Sequence, residues 1–127
     1  VRYLVTGGAG FIGGHLIESL LADKSNEVIA IDNLSTGRLS NLDLVIDDER
    51  MEFVEDDIVT MENMDDYVKN VDVIYHLAAA VGVELVVNEP AKTIVTNVHG
   101  TENVINAAVK FDKRIIIAST SEVYGKS

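Results

Sequence analysis

Three glycines near the start of the chain, Gly7, Gly10 and Gly13 in the run TGGAGFIG, have a spacing that lets a backbone fold tightly around a phosphate. The β-branched run Arg2 to Thr6 precedes them and an apolar run at helical spacing follows, so they stand where a strand hands over to a helix. In that setting the first glycine permits the tight turn, the second lets a pyrophosphate approach the backbone, and the third lets the helix pack close against the strand. The helix start adds unpaired N–H groups and the positive end of the helix dipole. Asp32 follows at the end of the next β-branched run, about twenty residues on, where a carboxylate accepts hydrogen bonds from the two hydroxyls of an adenosine ribose. It would also repel a 2′-phosphate, which favours NAD. Arg38 lies six residues beyond Asp32 rather than beside it, which leaves NADP as a minor alternative.

Such a site needs a sheet to present it. Strand candidates are Arg2 to Thr6, Glu27 to Asp32, Met51 to Asp56, Val71 to His76 and Arg114 to Ser119. Several are apolar at successive positions, as in Val73, Ile74 and Tyr75 or Ile115, Ile116 and Ile117. A strand without polar alternation needs both faces covered, as in a parallel sheet between helices. Ile12, Leu16, Leu20 and Leu21 fall at helical spacing, and so do Ile94, Val95, Val98, Val104, Ile105, Ala108 and Val109. Pro90 suits the first turn of the second of these helices, because its missing N–H is not needed there. Met61 to Val68 predicts a shorter helix, and Leu34 to Arg50 a loop with a short helical piece. The expected fold is α/β: a Rossmann-type doubly wound parallel sheet of about five strands with flanking helices, truncated, with residues 1–127 as one NAD(P)-binding domain.

Composition narrows the partners. A net charge of −11 opposes binding to nucleic acid or an anionic membrane surface. With no cysteine there is neither a disulfide framework nor a thiolate metal site, and a cytoplasmic setting is expected. No apolar run is long enough to span a bilayer. The three histidines lack ligand spacing, so no metal is expected: His76 reads as a satisfied structural histidine, His15 and His99 as helix-surface residues. Asp47, Asp48, Glu49, Asp65 and Asp66 read as surface charge.

TGGAGFIG resembles the glycine motif of the extended short-chain dehydrogenase/reductase family, whose members include NAD-dependent nucleotide-sugar epimerases, dehydratases and decarboxylases. Further matches follow in the family's order: IDNLSTGR at Ile31 to Arg38, DDI at Asp56 to Ile58, HLAAA at His76 to Ala80, NVHGTENV at Asn97 to Val104, and STSEVYG at Ser119 to Gly125. The resemblance implies that Phe11 and Ile12 lie against the pyrophosphate through their backbone. It puts Asn33, Ser35 and Gly37 along the adenosine side, Asp57 on the adenine amino group and Ile58 beside the ring. Leu77, Ala78 and Ala79 would form a wall of small residues at the end of the fourth strand, and Asn97 would tie the cofactor region to neighbouring backbone.

The same resemblance makes Thr120 the residue whose hydroxyl bonds the sugar hydroxyl being oxidised, with Ser121 and Glu122 beside it as further catalytic candidates. Hydride removal from C4 of a nucleotide sugar would give a 4-keto intermediate, which is epimerised, dehydrated or decarboxylated according to subclass. Ser121 and Glu122 after Thr120 are similar to the nucleotide-sugar glucuronate decarboxylases, whereas HLAAAVGV is closer to the epimerases. The reading put first is a UDP-sugar 4-epimerase type. A UDP-glucuronate decarboxylase-like enzyme and a non-catalytic dinucleotide-binding regulator are the alternatives. The family's Tyr-x-x-x-Lys pair, in which Lys lowers the Tyr pKa for general-base work, is not found here: none of Tyr3, Tyr67, Tyr75 or Tyr124 has a Lys four residues later. The expectation is therefore an N-terminal NAD-binding portion, inactive alone, of a homodimeric enzyme acting on a nucleotide sugar.

Overall fold

The computed structural model of the chain describes residues 1–78 and 90–117, without the side chains of 90–98. Five strands, β1 (Arg2–Thr6), β2 (Glu27–Asp32), β3 (Met51–Glu55), β4 (Val73–His76) and β5 (Arg114–Ile117), form one parallel sheet in the order β3-β2-β1-β4-β5. Helices α1 (Phe11–Leu21), α2 (Met64–Val68) and α3 (Pro90–Lys110) connect them, with a 3-10 turn at Leu39–Leu42. The chain runs outward from β1 to β3 on one side and returns to β4 on the other. The order of strands thus reverses between β1 and β4, which opens a crevice beyond their carboxyl ends.

Over β1, β2 and β4 both faces of the sheet are covered, which is why these strands carry apolar residues at successive positions; at the edge strand β5 the expectation fails, since Ile116 and Ile117 are exposed. On one face Val5, Val28 and Ala30 pack with Ile17 and Leu21 of α1 and with Leu42 and Val45. On the other, Leu4, Ile31 and Ile74 pack with Met64 and Val68 of α2 and Val104, Ala107 and Ala108 of α3. Lys110 at the end of α3 reaches Asp65 of α2 at 2.6 Å, so Asp65 braces two helices as well as carrying surface charge. Asp48 likewise does more than the sequence suggests. Its carboxylate holds the Arg50 guanidinium, which donates to the carbonyls of Leu21 and Asp23 and so closes the end of α1.

Several boundaries differ from the sequence expectation, each for a local reason. β4 starts at Val73 rather than Val71; at Asp72 the backbone N–H still donates to the Arg2 carbonyl, while the Arg2 N–H is taken by the Asp72 carboxylate instead of by backbone. β3 ends at Glu55, where the Asp56 side chain turns the chain by accepting the N–H of Asp57. The helix expected from Met61 begins at Met64, since the N–H groups of Thr60 and Met61 are spent on the carbonyl of Asp57. In α1 the buried face is Gly13, Gly14, Ile17 and Leu21, while Ile12 is exposed. Glycine docking sets the rotation of this helix. A β-carbon on Gly13 would fall on the Gly7 carbonyl and the Gly8 backbone, so no larger residue could occupy the contact. Of the strand expected from Arg114 to Ser119, the last two residues lie outside the described part.

Candidate functional site

The turn after β1 is built around an absent side chain. Gly7 has φ +72°, the left-handed region that favours glycine, and its N–H donates to the Ile31 carbonyl at 2.7 Å. A β-carbon there would lie 2.9 Å from the Ala78 nitrogen, so the turn presses directly against the end of β4. At Gly10 the only heavy atom among the described residues that such a carbon would approach is the Gly7 oxygen, at 3.3 Å. Gly10 is also the N-cap of α1 and has no side chain with which to cap it. Among the described residues the N–H groups of Phe11, Ile12 and Gly13 therefore have neither an intrahelical acceptor nor a side-chain cap, and no acidic residue sits in the first turn. Phe11 and Ile12 expose 72% and 65% of their surface, and the Phe11 ring stacks edge-on against His15 at 4.6 Å. Their apolar side chains point away from the core, which leaves their backbone as the polar surface of the helix end.

Asp32, at the carboxyl end of β2, is buried to 9% exposure. One carboxylate oxygen accepts the Ala9 N–H at 2.9 Å and the other the Leu34 N–H at 2.8 Å. A carboxylate has lone pairs for about four such bonds, so acceptor capacity remains for hydroxyl donors. Gly37 lies against it: a β-carbon there would be 2.7 Å from Asp32 Oδ2. Ala9, which the sequence gives no reason to single out, ties the two loops together. Its carbonyl accepts the Arg38 N–H at 2.9 Å and Asn41 Nδ2 at 2.8 Å. Asn33 and Ser35 are exposed beyond the strand, joined by a bond from the Ser35 N–H to Asn33 Oδ1.

On the next strand, Asp57 Oδ1 accepts the Val59 N–H at 2.8 Å, so this carboxylate shapes its own loop. Ile58 is partly buried against the α2–α3 face. Asn103 of α3 donates to the carbonyls of both Ile58 and Val59, and Gly100 leaves room for the Ile58 side chain. The structure thus brings Asp57 and Ile58 to the same sheet edge as Asp32 and the glycine turn.

At the end of β4, Leu77 is buried and Ala78 half-buried beside Gly7. Behind them His76, fully buried, has Nδ1 2.7 Å from Thr6 Oγ1 and Nε2 2.9 Å from Thr101 Oγ1. Burial lowers its pKa to about 4, which keeps the ring neutral near pH 7. The structural reading of this histidine is therefore met. Thr6 and Thr101, however, carry no sequence signal beyond a polar residue at a strand end and another in a helix. Ala79, Thr120, Ser121 and Glu122 lie outside the described residues. Asn97 is on α3, but its side chain is also outside them. Among the described residues no helix is long and apolar enough to cross a membrane.

The geometry has clear counterparts in known proteins. The chain is 44% identical over 125 residues to UDP-glucuronic acid decarboxylase 6 of Arabidopsis thaliana, covering 98% of this chain and 35% of the relative. It is 41% identical to UDP-glucuronic acid decarboxylase 1 of Danio rerio, covering 28% of that protein. It therefore spans about a third of the length of such relatives. Among solved structures it resembles DesIV, a dTDP-glucose 4,6-dehydratase from Streptomyces venezuelae crystallised with NAD and TYD bound. The TM-score is 0.90 at 38% identity, over 100% of this chain and 42% of that one. It also resembles the UDP-N-acetylglucosamine 4-epimerase of Methanobrevibacter ruminantium M1, with a TM-score of 0.87 at 32% identity over 99% of this chain and 40% of the other. The family profile described as GDP-mannose 4,6 dehydratase matches residues 4–127. With its five-stranded parallel sheet and glycine turn, the chain belongs to the GDP-mannose 4,6 dehydratase family of extended short-chain dehydrogenases/reductases.

Proposed function

We propose that this chain is the NAD-binding part of an enzyme that oxidises a nucleotide sugar at C4. The observation that carries the reading is the joint placement, at the reversal of strand order, of an uncapped helix start and a buried carboxylate one strand away. The N–H groups of Phe11, Ile12 and Gly13 suit a pyrophosphate, and Gly10 leaves it room to approach. Asp32 keeps acceptor capacity for two ribose hydroxyls, and its negative charge disfavours a 2′-phosphate. Asn33, Ser35, Gly37, Asp57 and Ile58 serve the adenosine side in this reading, Leu77, Ala78 and Ala79 the wall of small residues, and Asn97 the tie between the cofactor region and neighbouring backbone. DesIV, crystallised with NAD, supports the same ligand here.

NAD, when bound, supplies the acceptor for the hydride at sugar C4. The chain's own contribution is Thr120, whose hydroxyl holds the C4 hydroxyl and passes on its proton, flanked by Ser121 and Glu122. We place decarboxylation of UDP-glucuronate ahead of 4-epimerisation. The pair Ser121 and Glu122 after Thr120 and the 44% identity to a UDP-glucuronic acid decarboxylase both support that order. A keto group at C4 is β to the C6 carboxylate, so the C5–C6 bond can break with its electron pair drawn into the carbonyl and carbon dioxide leaving. C5 then takes a proton and the hydride returns to C4, giving a UDP-pentose. Epimerisation is kept as the second reading because HLAAAVGV resembles the epimerases and one of the structural neighbours is a 4-epimerase.

Two measurements test this. Titration calorimetry of the 127-residue chain is expected to show NAD binding and much weaker NADP binding; equal affinities would remove Asp32 from the site. A longer protein containing this chain, given UDP-glucuronate and NAD, is expected to release carbon dioxide and a UDP-pentose. Conversion of UDP-glucose to its C4 epimer without decarboxylation would promote the second reading.

A further inference from the structure

The relay behind the crevice allows its protons to be counted. Thr6 Oγ1 lies 2.7 Å from His76 Nδ1, 3.1 Å from the Leu77 nitrogen and 3.3 Å from the Ala78 nitrogen. The two N–H groups can only donate, so they occupy the oxygen's two lone pairs, the Leu77 N–H being shared with the Thr6 carbonyl at 3.0 Å. The hydroxyl's own proton then has His76 Nδ1 as its acceptor. If Nδ1 carried a proton instead, three donors would crowd one oxygen and the Thr6 hydroxyl proton would be orphaned at a residue with no exposed surface. Nδ1 is therefore bare, the ring proton is on Nε2, and it is donated to Thr101 Oγ1 at 2.9 Å. Thr101 belongs to α3, while the Leu77–Ala78 peptide is the surface against which Gly7 has no room for a β-carbon.

We propose that His76 and Thr101 are positioning residues for the crevice. The Leu77 and Ala78 amides fix the Nε2–H form of His76 through Thr6 Oγ1, and the Thr101 hydroxyl sustains it by accepting the buried Nε2 proton, so that Thr6 Oγ1 keeps its grip on both amides. The end of β4 is thereby held at a fixed distance from the glycine turn, and the width of the crevice depends on a helix that lies behind it. This goes beyond the functional reading in naming what sets the wall, and rests on that reading only for the ligand that the wall faces.

The experiment compares the wild-type chain with Thr101→Val, which keeps the shape and removes the acceptor, and Thr101→Ser, which restores it. Imidazole 15N shifts of the wild type are expected to report a neutral Nε2–H ring for His76. In Thr101→Val that signature is lost or mixed, amide exchange at Ala78 rises about tenfold or more, and NAD affinity falls by about tenfold, the scale of one hydrogen bond. Thr101→Ser returns all three toward wild type. A wild-type His76 in the Nδ1–H form overturns the proposal, and so does a folded Thr101→Val chain whose Ala78 exchange is unchanged. If the shifts and exchange behave as stated but the wild-type chain does not bind NAD, the functional reading fails while the relay stands. Should Thr101→Val not fold, Thr101→Ala, which also removes the acceptor, takes its place: unchanged Ala78 exchange in that variant overturns the proposal.

Discussion

At the β1–α1 turn the crevice is shaped by side chains that are missing: Gly7 and Gly13 bring backbone where a β-carbon would otherwise stand, and among the described residues Gly10 leaves its outer side clear. Across the crevice, at the end of β4, it is shaped by side chains that are buried, with Thr6, His76 and Thr101 joined in a line of hydrogen bonds. The first side is specified within a few consecutive residues. The second draws on residues from β1, β4 and α3. One consequence is that the two sides should fail differently, the glycine side through steric overlap and the histidine side through loss of proton order.

The largest effect is expected from overfilling the glycine side. Gly13→Ala puts a methyl group onto the Gly7 carbonyl and the Gly8 backbone, and should cost about 3 kcal/mol or more in urea unfolding. A loss well below 1 kcal/mol would show that the turn can relax, and the contrast between the two sides would disappear. The histidine side should respond to pH instead. His76 has a folded pKa of about 4 against an ordinary value of 6.5, because burial disfavours its charged form, and its two partners, Thr6 and Thr101, are uncharged. The unfolded chain therefore takes up the proton first. The contribution of neutral His76 is fully present above about pH 6.5 and fades as pH falls toward 4. Its size is about 3 kcal/mol. Comparison of unfolding at pH 7 and pH 4.5 for wild type and His76→Gln checks this, since the variant should lose that part of the pH dependence.

Asp32 sharpens the comparison at intermediate size, because it belongs to the glycine side but acts through charge. Removal to Ala would also strip acceptors from the Ala9 and Leu34 N–H groups, so Asp32→Asn is the cleaner variant. NAD affinity measured by calorimetry is expected to fall about tenfold, with the preference over NADP reduced. The smallest effect is expected at Asn103, which ties the Ile58–Val59 loop to α3 through two carbonyl bonds. Asn103→Ala should cost about 1 kcal/mol on thermal unfolding. A much larger loss would mean that this loop, too, depends on α3 as heavily as β4 does.

The strands show how far local pattern reaches. Arg2–Thr6 and Glu27–Asp32 end where the sequence places them, because largely apolar runs stop at a glycine turn and a carboxylate. Contacts made by a side chain from another element were not legible: at the start of β4 the Asp72 carboxylate takes the Arg2 N–H, a pairing seventy residues apart in sequence. The buried face of α1 was likewise decided by contact with the turn rather than by its own apolar spacing. At the site, Asp32 and the glycines could be read directly, since a tight turn and a carboxylate at a strand end have few other sequence solutions. Ala9, Asn41, Thr6, Thr101 and Asn103 could not, because each acts through hydrogen bonds to partners far away in sequence.

Continuous apolar strands, helical spacing between them and a glycine run opening the first helix are properties of neighbouring residues, and their sequence already specifies a parallel sheet with a phosphate-sized turn at its edge. The line of hydrogen bonds from Thr6 through His76 to Thr101, the brace that Ala9 makes between two loops and the approach of Gly7 to Ala78 became definite only in the tertiary structure. A hydrogen bond has a direction and a length of about 3 Å, and a linear sequence carries neither until the sheet has brought its ends together.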